Sequence, residues 1–271
     1  MSGYLAIISA RFRTLLQYRS AAVAGLFTQA FYGVVRIMIL EAFYRSSAAA
    51  QPMSFAQVVG YVWLGQAALS MFPWNVDKDI RDSIRSGAVV YELCRPLDLY
   101  GLWYARAIAW RTAPMVLRAV PMLVFAILVL PAVGFEEWAL GLPHDAASAV
   151  MWLATFAGAL FLSCAMSTLL HISLMWTISG DGSRVLLTSV TTLLGGMVIP
   201  LPLFPDWAQP ILGALPFAGL MDLPARVYTG HISGVAAWTG LAVQLGWTLA
   251  LIWLGRAILA RGTRRLVVQG G

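Results

Sequence analysis

Long apolar segments alternate with short polar ones along most of this chain. A hydrocarbon core about 30 Å thick is crossed by roughly 20 apolar residues in a helix. Continuous apolar runs of this kind favour helices over the short alternating strands of a membrane β-barrel. The pattern predicts an all-α, polytopic membrane protein whose six transmembrane helices comprise residues 20–44, 55–74, 113–133, 147–176, 185–203 and 235–254.

The composition supports a single membrane domain over residues 1–271. The chain is 60% hydrophobic and 11% charged, and its mean hydropathy is +0.77. A water-soluble domain with a polar surface does not sustain such values.

The positive charges predict the orientation of the spans, because short cytoplasmic loops keep Arg and Lys near the membrane. Two of them, Arg45 and Arg226, fall on one side of the predicted topology. Fourteen fall on the other side: Arg11, Arg13, Arg19, Lys78, Arg81, Arg85, Arg95, Arg106, Arg111, Arg184, Arg256, Arg261, Arg264 and Arg265. We therefore expect a multi-pass protein of the cytoplasmic (inner) membrane with both termini in the cytoplasm. Nucleic acid is not an expected partner, since the net charge of +6 follows from topology.

Residues 1–19 carry apolar side chains at helical spacing ahead of the first span. The spacing of Tyr4, Ile8, Phe12 and Leu15 predicts an amphipathic connecting helix that lies at the membrane interface and contacts lipid. The alternative is a short cytosolic helix packed against the protein's own loops.

A polar segment, residues 75–99, separates the second span from the third and holds nine of the chain's 18 basic and 12 acidic residues. The nine are Asp77, Lys78, Asp79, Arg81, Asp82, Arg85, Glu92, Arg95 and Asp98. Five acidic residues nearly cancel four basic ones, whereas anionic lipid is bound by Lys and Arg without Asp and Glu. A protein surface is therefore the expected partner. The alternative is a solvated loop with local ion pairs.

Apolar spacing predicts two short helices inside this segment. Val76, Ile80 and Ile84 recur every four residues, so one helix can bury them and present its charges elsewhere. Gly87 interrupts that pattern, and residues 89–93 form the second predicted helix.

Between the fifth and sixth spans, residues 199–224 hold six of the thirteen prolines. Regular helix cannot continue through them, yet the segment is apolar apart from Asp206 and Asp222. Irregular backbone at membrane depth requires cover by protein or a cavity. We expect short broken helices that form an external re-entrant or lid segment, and an ordinary loop lying on the interface is the alternative.

Neither a catalytic nor a metal-binding motif is recognised in this sequence. A phosphate-binding loop ends in Gly-Lys-Ser/Thr, but the single lysine, Lys78, follows Asp77. The three histidines are scattered, and His171 in the fourth span is expected to be an interior hydrogen-bonding residue. Arg36 and Glu41 are ionisable residues within the first span, so either can line a translocation path or a dimer interface. For Arg36 the alternative is an ion pair or carbonyl contact that holds helices together.

Three stretches of the chain resemble one known family. They are IRSGAVVYELCRPL at residues 84–97 with DLYGLWYARAIAW after it, IPLPLFPDWAQPILGALPFAGLMDLPARVYTG at residues 199–230, and the terminal RGTRRLVVQGG. Together they are similar to permease subunits of ABC-2-type transporters, in particular the six-helix branch that works with a separate ATPase subunit and often a second permease.

That resemblance implies an amphipathic connecting helix, a coupling helix between the second and third spans, and two permeases resting on two copies of an ABC ATPase subunit. The second permease would be a related protein or a second copy of this chain. ATP and Mg would bind the partner ATPase, and no cofactor would bind this chain. The residues that would transmit the motion of the ATPase are Asp79, Arg81, Arg85, Glu92 and Arg95.

The resulting hypothesis is a non-catalytic transmembrane subunit of an ATP-driven exporter that moves an amphiphilic or cationic small molecule across the cytoplasmic membrane. A secondary transporter driven by an ion gradient is the first alternative. Such carriers need acidic residues near the midplane, and Glu41 is the only carboxylate within the six predicted spans. A membrane scaffold without transport is the second alternative.

Overall fold

A computed structural model describes residues 3–47, 50–177 and 180–264, and within these ranges the regular structure is helical, with no strand. The α-helices are α1 (Gly3–Leu15), α2 (Arg19–Ser46), α3 (Phe55–Ala67), α4 (Lys78–Arg85), α5 (Val89–Leu93), α6 (Leu99–Val124), α7 (Leu130–Ala132), α8 (Ala146–Ser173), α9 (Asp181–Leu194), α10 (Gln209–Ala214), α11 (Asp222–Tyr228) and α12 (Gly234–Thr263). The prediction of an all-α protein is confirmed. Two parts of the predicted features lie outside the described residues. They are the first two residues of the predicted connecting helix and residues 265–271 of the terminal stretch, which include Arg265.

Four helices in the described ranges are long and apolar enough to cross a membrane: Ala22–Ser46, Leu99–Ala132, Ala146–Ser173 and Gly234–Thr263. They coincide with the first, third, fourth and sixth predicted spans. The second and fifth predicted spans coincide with α3 and α9, which contain 13 and 14 residues. These two helices are shorter than the roughly 20 residues that a full crossing needs.

Both short helices end at identifiable breaks. A 3₁₀ turn follows α3, and then Phe72 is extended (φ −69°, ψ 140°), as the residue before Pro73 is expected to be. Beyond α9, Gly196 has φ +81°, and the Met197 N–H bonds to the Thr192 carbonyl at 3.2 Å. This glycine-terminated arrangement satisfies the last carbonyl groups of a helix. Hydropathy does not reveal either break, because the residues beyond it are still apolar.

The third predicted span is the second half of a longer helix that begins at Leu99. The helix continues from α6 through a π-helical turn, Phe125–Val129, into α7. Pro131 has no N–H to donate to the Ala126 carbonyl, which instead accepts the Leu140 N–H at 2.9 Å. The loop after α7 is thereby tied to the end of this helix.

The helices form one bundle around α8, and α8 packs against α6, α11 and α12. α2 and α3 lie side by side, with the ring of Trp63 against Gly33. A Cβ atom at Gly33 would lie 2.6 Å from the nearest ring atom of Trp63, so glycine permits this close approach. The Trp63 side chain is fully buried, and its Nε1–H donates to the Trp138 carbonyl at 2.7 Å. The ring is therefore packed in the interior, and its N–H group has a hydrogen-bond partner there.

Residues 199–224 run through the 3₁₀ turns Leu201–Leu203 and Pro216–Leu220, together with α10 and the start of α11. This segment packs against α3, α8 and α12. Asp222 is buried, and its carboxylate accepts hydrogen bonds from the Tyr61 hydroxyl at 3.0 Å and from Arg226 at 3.2 Å. The bond from Tyr61 of α3 anchors the proline-rich segment to the bundle, while the Arg226 contact lies within α11.

Charged residues gather at the two ends of the bundle. At the end where α1 meets α4, Arg11 pairs with Asp77 at 2.8 Å. At the far end of α2, Arg45 pairs with Glu41 at 2.5 Å. Arg11, ahead of the start of α2, and Arg45, at its end, are thus separated along the bundle.

Candidate functional site

The charged segment folds into two short helices, α4 and α5, as its apolar spacing predicts. Asp77 begins α4, since its Oδ1 accepts the Asp79 N–H at 3.0 Å. Gly87, with φ +76°, turns the chain between the helices. Ile80 and Val89 are fully buried beneath them. The two helices therefore form a small docked unit, which we call the α4–α5 hairpin.

Arg106 of α6 connects this hairpin to the bundle. Its Nη1 donates to Glu92 Oε1 at 2.9 Å, and its Nη2 lies 3.3 Å from Asp79 Oδ2. Its Nε lies 3.4 Å from Asp77 Oδ2. One turn earlier on α6, the Trp103 Nε1–H donates to Glu92 Oε2 at 2.8 Å. One arginine thus contacts carboxylates from both parts of the hairpin while it is itself only 8% exposed.

Arg11 brings α1 to the same carboxylates. Its Nη2 lies 2.8 Å from Asp77 Oδ2 and 2.7 Å from Asp79 Oδ2. The hydrogen bond from Arg11 lowers the pKa of Asp79 below its ordinary value, and Arg106 adds to this effect. The negative form of Asp79 is therefore favoured by both guanidinium groups.

His171 connects α8 to the start of the hairpin through Asp77. Its Nε2 accepts the Asp77 backbone N–H at 3.0 Å, and the side chain is buried. The expectation of an interior hydrogen-bonding histidine is confirmed. We call Arg11, Asp77, Asp79, Glu92, Arg106 and His171 the charge cluster.

The five residues predicted to transmit motion divide into two groups. Asp79 and Glu92 belong to the charge cluster. Of the three arginines, Arg81 is half-buried and lies 3.6 Å from its neighbour Asp82, whereas Arg85 and Arg95 are exposed. The two acidic side chains thus bind the hairpin to the bundle, and two of the three basic ones are on its surface.

Sequence reasoning used Arg11 and Arg106 only for topology and did not assign either residue to the site. One signal did point to them, because the segment has one more acidic than basic residue and its buried carboxylates need cations from elsewhere. Which cations supply that charge depends on helices far away in the sequence, and spacing within the segment does not identify them.

A second buried arginine, Arg111, joins α6 to α8. Its Nε donates to Ser163 Oγ at 2.6 Å, and its Nη2 donates to Ser167 Oγ. Ser163 in turn donates to the Met71 carbonyl after α3. Ser163, Ser167 and His171 are four residues apart, so one buried polar stripe of α8 joins the middle of the bundle to the charge cluster.

Arg36 and Glu41 are not brought together. Glu41 accepts hydrogen bonds from Arg45 at 2.5 Å and from the Trp138 Nε1–H at 3.2 Å. Arg36 Nη2 donates to the Val198 carbonyl at 3.0 Å. That bond is of the kind that the alternative interpretation of Arg36 expects. The Arg36 side chain also lines an open groove.

A family model described as ABC-2 family transporter protein matches residues 30–270 of the chain. No curated protein matches this chain. The matched range includes α3 to α12 and most of α2, and therefore every member of the charge cluster except Arg11.

Proposed function

This chain belongs to the ABC-2 transporter family, and we propose that it is the transmembrane subunit of an ATP-driven exporter in the cytoplasmic membrane. Proteins of this family are membrane transport components that generally work with an ATPase partner. In the proposal, two copies of a separate ATPase bind ATP and Mg and hydrolyse the nucleotide. This chain contributes the membrane path and the surface on which the ATPase acts.

The observation that carries this proposal is the charge cluster. Arg106, Arg11 and His171 attach the α4–α5 hairpin to three different helices, α6, α1 and α8. A buried charged group is costly to separate from its partners. A displacement of the hairpin is therefore passed to those helices and is not absorbed in a loose loop.

The outward surface of the hairpin suits a protein partner. Tyr91 is 77% exposed and Leu93 is 44% exposed, and Arg85 and Arg95 in the same segment are exposed as well. Aromatic and arginine side chains are enriched where proteins bind one another. We propose that this surface rests on the ATPase subunit.

The proposed topology has six spans with both termini in the cytoplasm, counting α3 and α9 as the second and fifth. A second permease, either a relative or another copy of this chain, would cover the apolar faces of α2 and α9. Phe27 and Phe31 of α2 are 72% and 65% exposed, and Leu186 of α9 is 66% exposed. Of the two kinds of cargo that the sequence suggests, amphiphilic or cationic, the amphiphile suits these apolar surfaces better.

The test is purification of the tagged full chain from its native membrane in mild detergent, followed by mass spectrometry of the bound proteins. We expect a soluble ATPase in equal copy number, with a second permease or a second copy of this chain. The double variant Tyr91→Ala, Arg85→Glu should lose the ATPase. Arg261→Gln, which removes one exposed charge at the end of α12, is the matched control.

Recovery of a homo-oligomer without ATPase, even after crosslinking, would contradict the proposal and favour a secondary carrier or a scaffold. Charge reversal at Arg85 and Glu92 together examines the transmission step. It should leave membrane insertion intact while ATP hydrolysis no longer drives transport, and unchanged transport would contradict the assigned role.

A further inference from the structure

We propose that the groove beside Arg36 binds the head of an anionic amphiphile, and that this molecule is the cargo in transit between the two leaflets. The inference rests on the proposed transport function and narrows its substrate class. It concerns a cavity of about 760 Å³ between α2, the end of α3 and the segment after α9.

Arg36 is the only charged side chain among the residues that line the groove. A guanidinium has five N–H donors in a planar fork that matches a carboxylate or phosphate group. In the part of the chain that the structure describes, Arg36 makes one hydrogen bond, to the Val198 carbonyl at 3.0 Å. The groove thus presents a cation to a ligand without an acidic residue to neutralise it.

Gln29 provides an independent indication of a ligand. It lines the same groove seven residues before Arg36, which places both side chains on one face of α2. Gln29 is only 3% exposed, yet neither its Nε2 nor its Oε1 has a hydrogen-bond partner among the described residues. Burial of an amide group without a hydrogen-bond partner is unfavourable. A polar head in the groove would supply the missing partner.

Much of the remaining wall of the groove suits a hydrocarbon chain. Ile39, Leu40 and Leu69 are aliphatic, the rings of Tyr32 and Trp74 lie among them, and three further polar side chains share this lining. Ile39 and Tyr32 are 63% and 57% exposed, so the groove opens at the side of the bundle. A ligand with one charged end and one apolar portion matches both parts of this lining.

The depth of Arg36 distinguishes cargo from a resident lipid. In the candidate span Ala22–Ser46, Arg36 is 14 residues from the start and 10 from the end. At 1.5 Å per residue, these separations are about 21 Å and about 15 Å. A resident lipid keeps its head at the membrane surface, whereas a head at this depth belongs to a molecule that is crossing. The structure therefore favours a cargo over a resident lipid.

The test compares two amphiphiles of equal chain length, dodecyl phosphate and dodecyltrimethylammonium. Binding of each to the purified full chain is measured by native mass spectrometry. We expect dodecyl phosphate to bind about tenfold more tightly or better, as expected for a charge-assisted bidentate contact. Arg36→Gln should abolish this preference, Arg36→Lys, which keeps the charge but not the fork, should retain part of it, and Gln29→Leu should weaken it. Arg261→Gln, which removes a charge far from the groove, should bind as the wild type does.

Equal binding of the two amphiphiles, or a preference that survives Arg36→Gln, would overturn the inference. A phospholipid that copurifies with the chain and is not displaced by dodecyl phosphate would identify a resident lipid and overturn the cargo assignment. A second permease that crosslinks to Ile39→Cys and excludes dodecyl phosphate would also overturn it. None of these measurements involves an ATPase, so a failure of this inference is distinct from a failure of the proposed function.

Discussion

Arg106 and Arg36 both lie on long helices of the bundle, yet their surroundings differ. Arg106 lies within 3.4 Å of three carboxylates. Arg36 bonds to one carbonyl and faces a groove whose described lining residues include no acidic side chain. A guanidinium surrounded by the protein's own carboxylates fixes helices to one another, whereas one that faces a groove retains donors for an external anion. The partners of a buried charge, more than its depth, therefore indicate its role.

Removal of Arg106 should give the largest effect. Arg106→Gln leaves the buried carboxylate of Glu92 without a cation and removes one of the two arginines that contact Asp77, and breaking a buried pair of this kind costs about 3–5 kcal/mol. We expect a large fall in the midpoint of thermal unfolding in detergent and loss of ATP-driven transport. Arg106→Lys keeps the charge but not the planar fork of the guanidinium. Its unfolding midpoint should lie between those of the wild type and Arg106→Gln. A wild-type midpoint in Arg106→Gln would show that the charge cluster does not hold the hairpin.

Gly33→Leu should weaken binding in the groove without disturbing the charge cluster. A side chain at Gly33 meets the ring of Trp63, with the Cβ alone 2.6 Å from a ring atom. Such overpacking costs about 1–3 kcal/mol. Since α2 also carries Arg36, we expect a lower unfolding midpoint and weaker binding of dodecyl phosphate, while the α4–α5 hairpin still binds the ATPase.

The control for this variant is Gly182→Leu, because a Cβ at Gly182 meets no atom within 4 Å. It should leave the unfolding midpoint and amphiphile binding unchanged. Loss of the ATPase from Gly33→Leu, with groove binding intact, would contradict the separation of the two regions.

The sequence allowed the α4–α5 hairpin to be predicted because the information is local. Val76, Ile80 and Ile84 mark one helix, and Gly87 ends it. The cations that hold the hairpin could not be predicted in this way. Arg11 is 66 residues from Asp77, and no spacing rule reaches that far.

The lengths of the second and fifth predicted spans show a related limit of hydropathy. Residues 68–74 are mostly apolar, so a hydropathy window continues through the 3₁₀ turn that follows α3. The groove beside Arg36 was only partly predictable for a similar reason. Arg36 is evident as a charge within a span, and helical spacing places Gln29 on the same face, but the Val198 carbonyl becomes a neighbour of Arg36 only in the folded bundle.

Arg11→Gln should have a smaller effect than the changes at Arg106 and Gly33. One of its partners, Asp79, has a side chain that is 67% exposed, so water screens that pair. We expect the free energy of unfolding to fall by about 1 kcal/mol. The exposed pair with Asp79 contributes little to this loss, and the contact with Asp77 contributes the rest. Thermal unfolding of the variant and the wild type over a range of pH measures it.

The pH dependence of this loss has a definite sign. Because Arg11 lowers the pKa of folded Asp79 below 3.8, the Asp79 contribution is present above that value and disappears as the pH falls through the lowered pKa. The difference between the variant and the wild type should therefore be constant near neutral pH and shrink below pH 3.8. A difference that grows on acidification would contradict the assigned contact.

Arg36→Gln should have the smallest effect on stability, and it gives the sharpest test of the comparison between the two arginines. Only the bond to the Val198 carbonyl is lost, and no carboxylate in the groove is left without a partner. We expect the unfolding free energy to change by no more than about 0.5 kcal/mol, while the preference for dodecyl phosphate disappears. If Arg36→Gln instead lowers the unfolding midpoint as much as Arg106→Gln does, the carbonyl contact holds the bundle together. Arg36 would then be a structural residue like Arg106, because its donors would serve the protein's own helices.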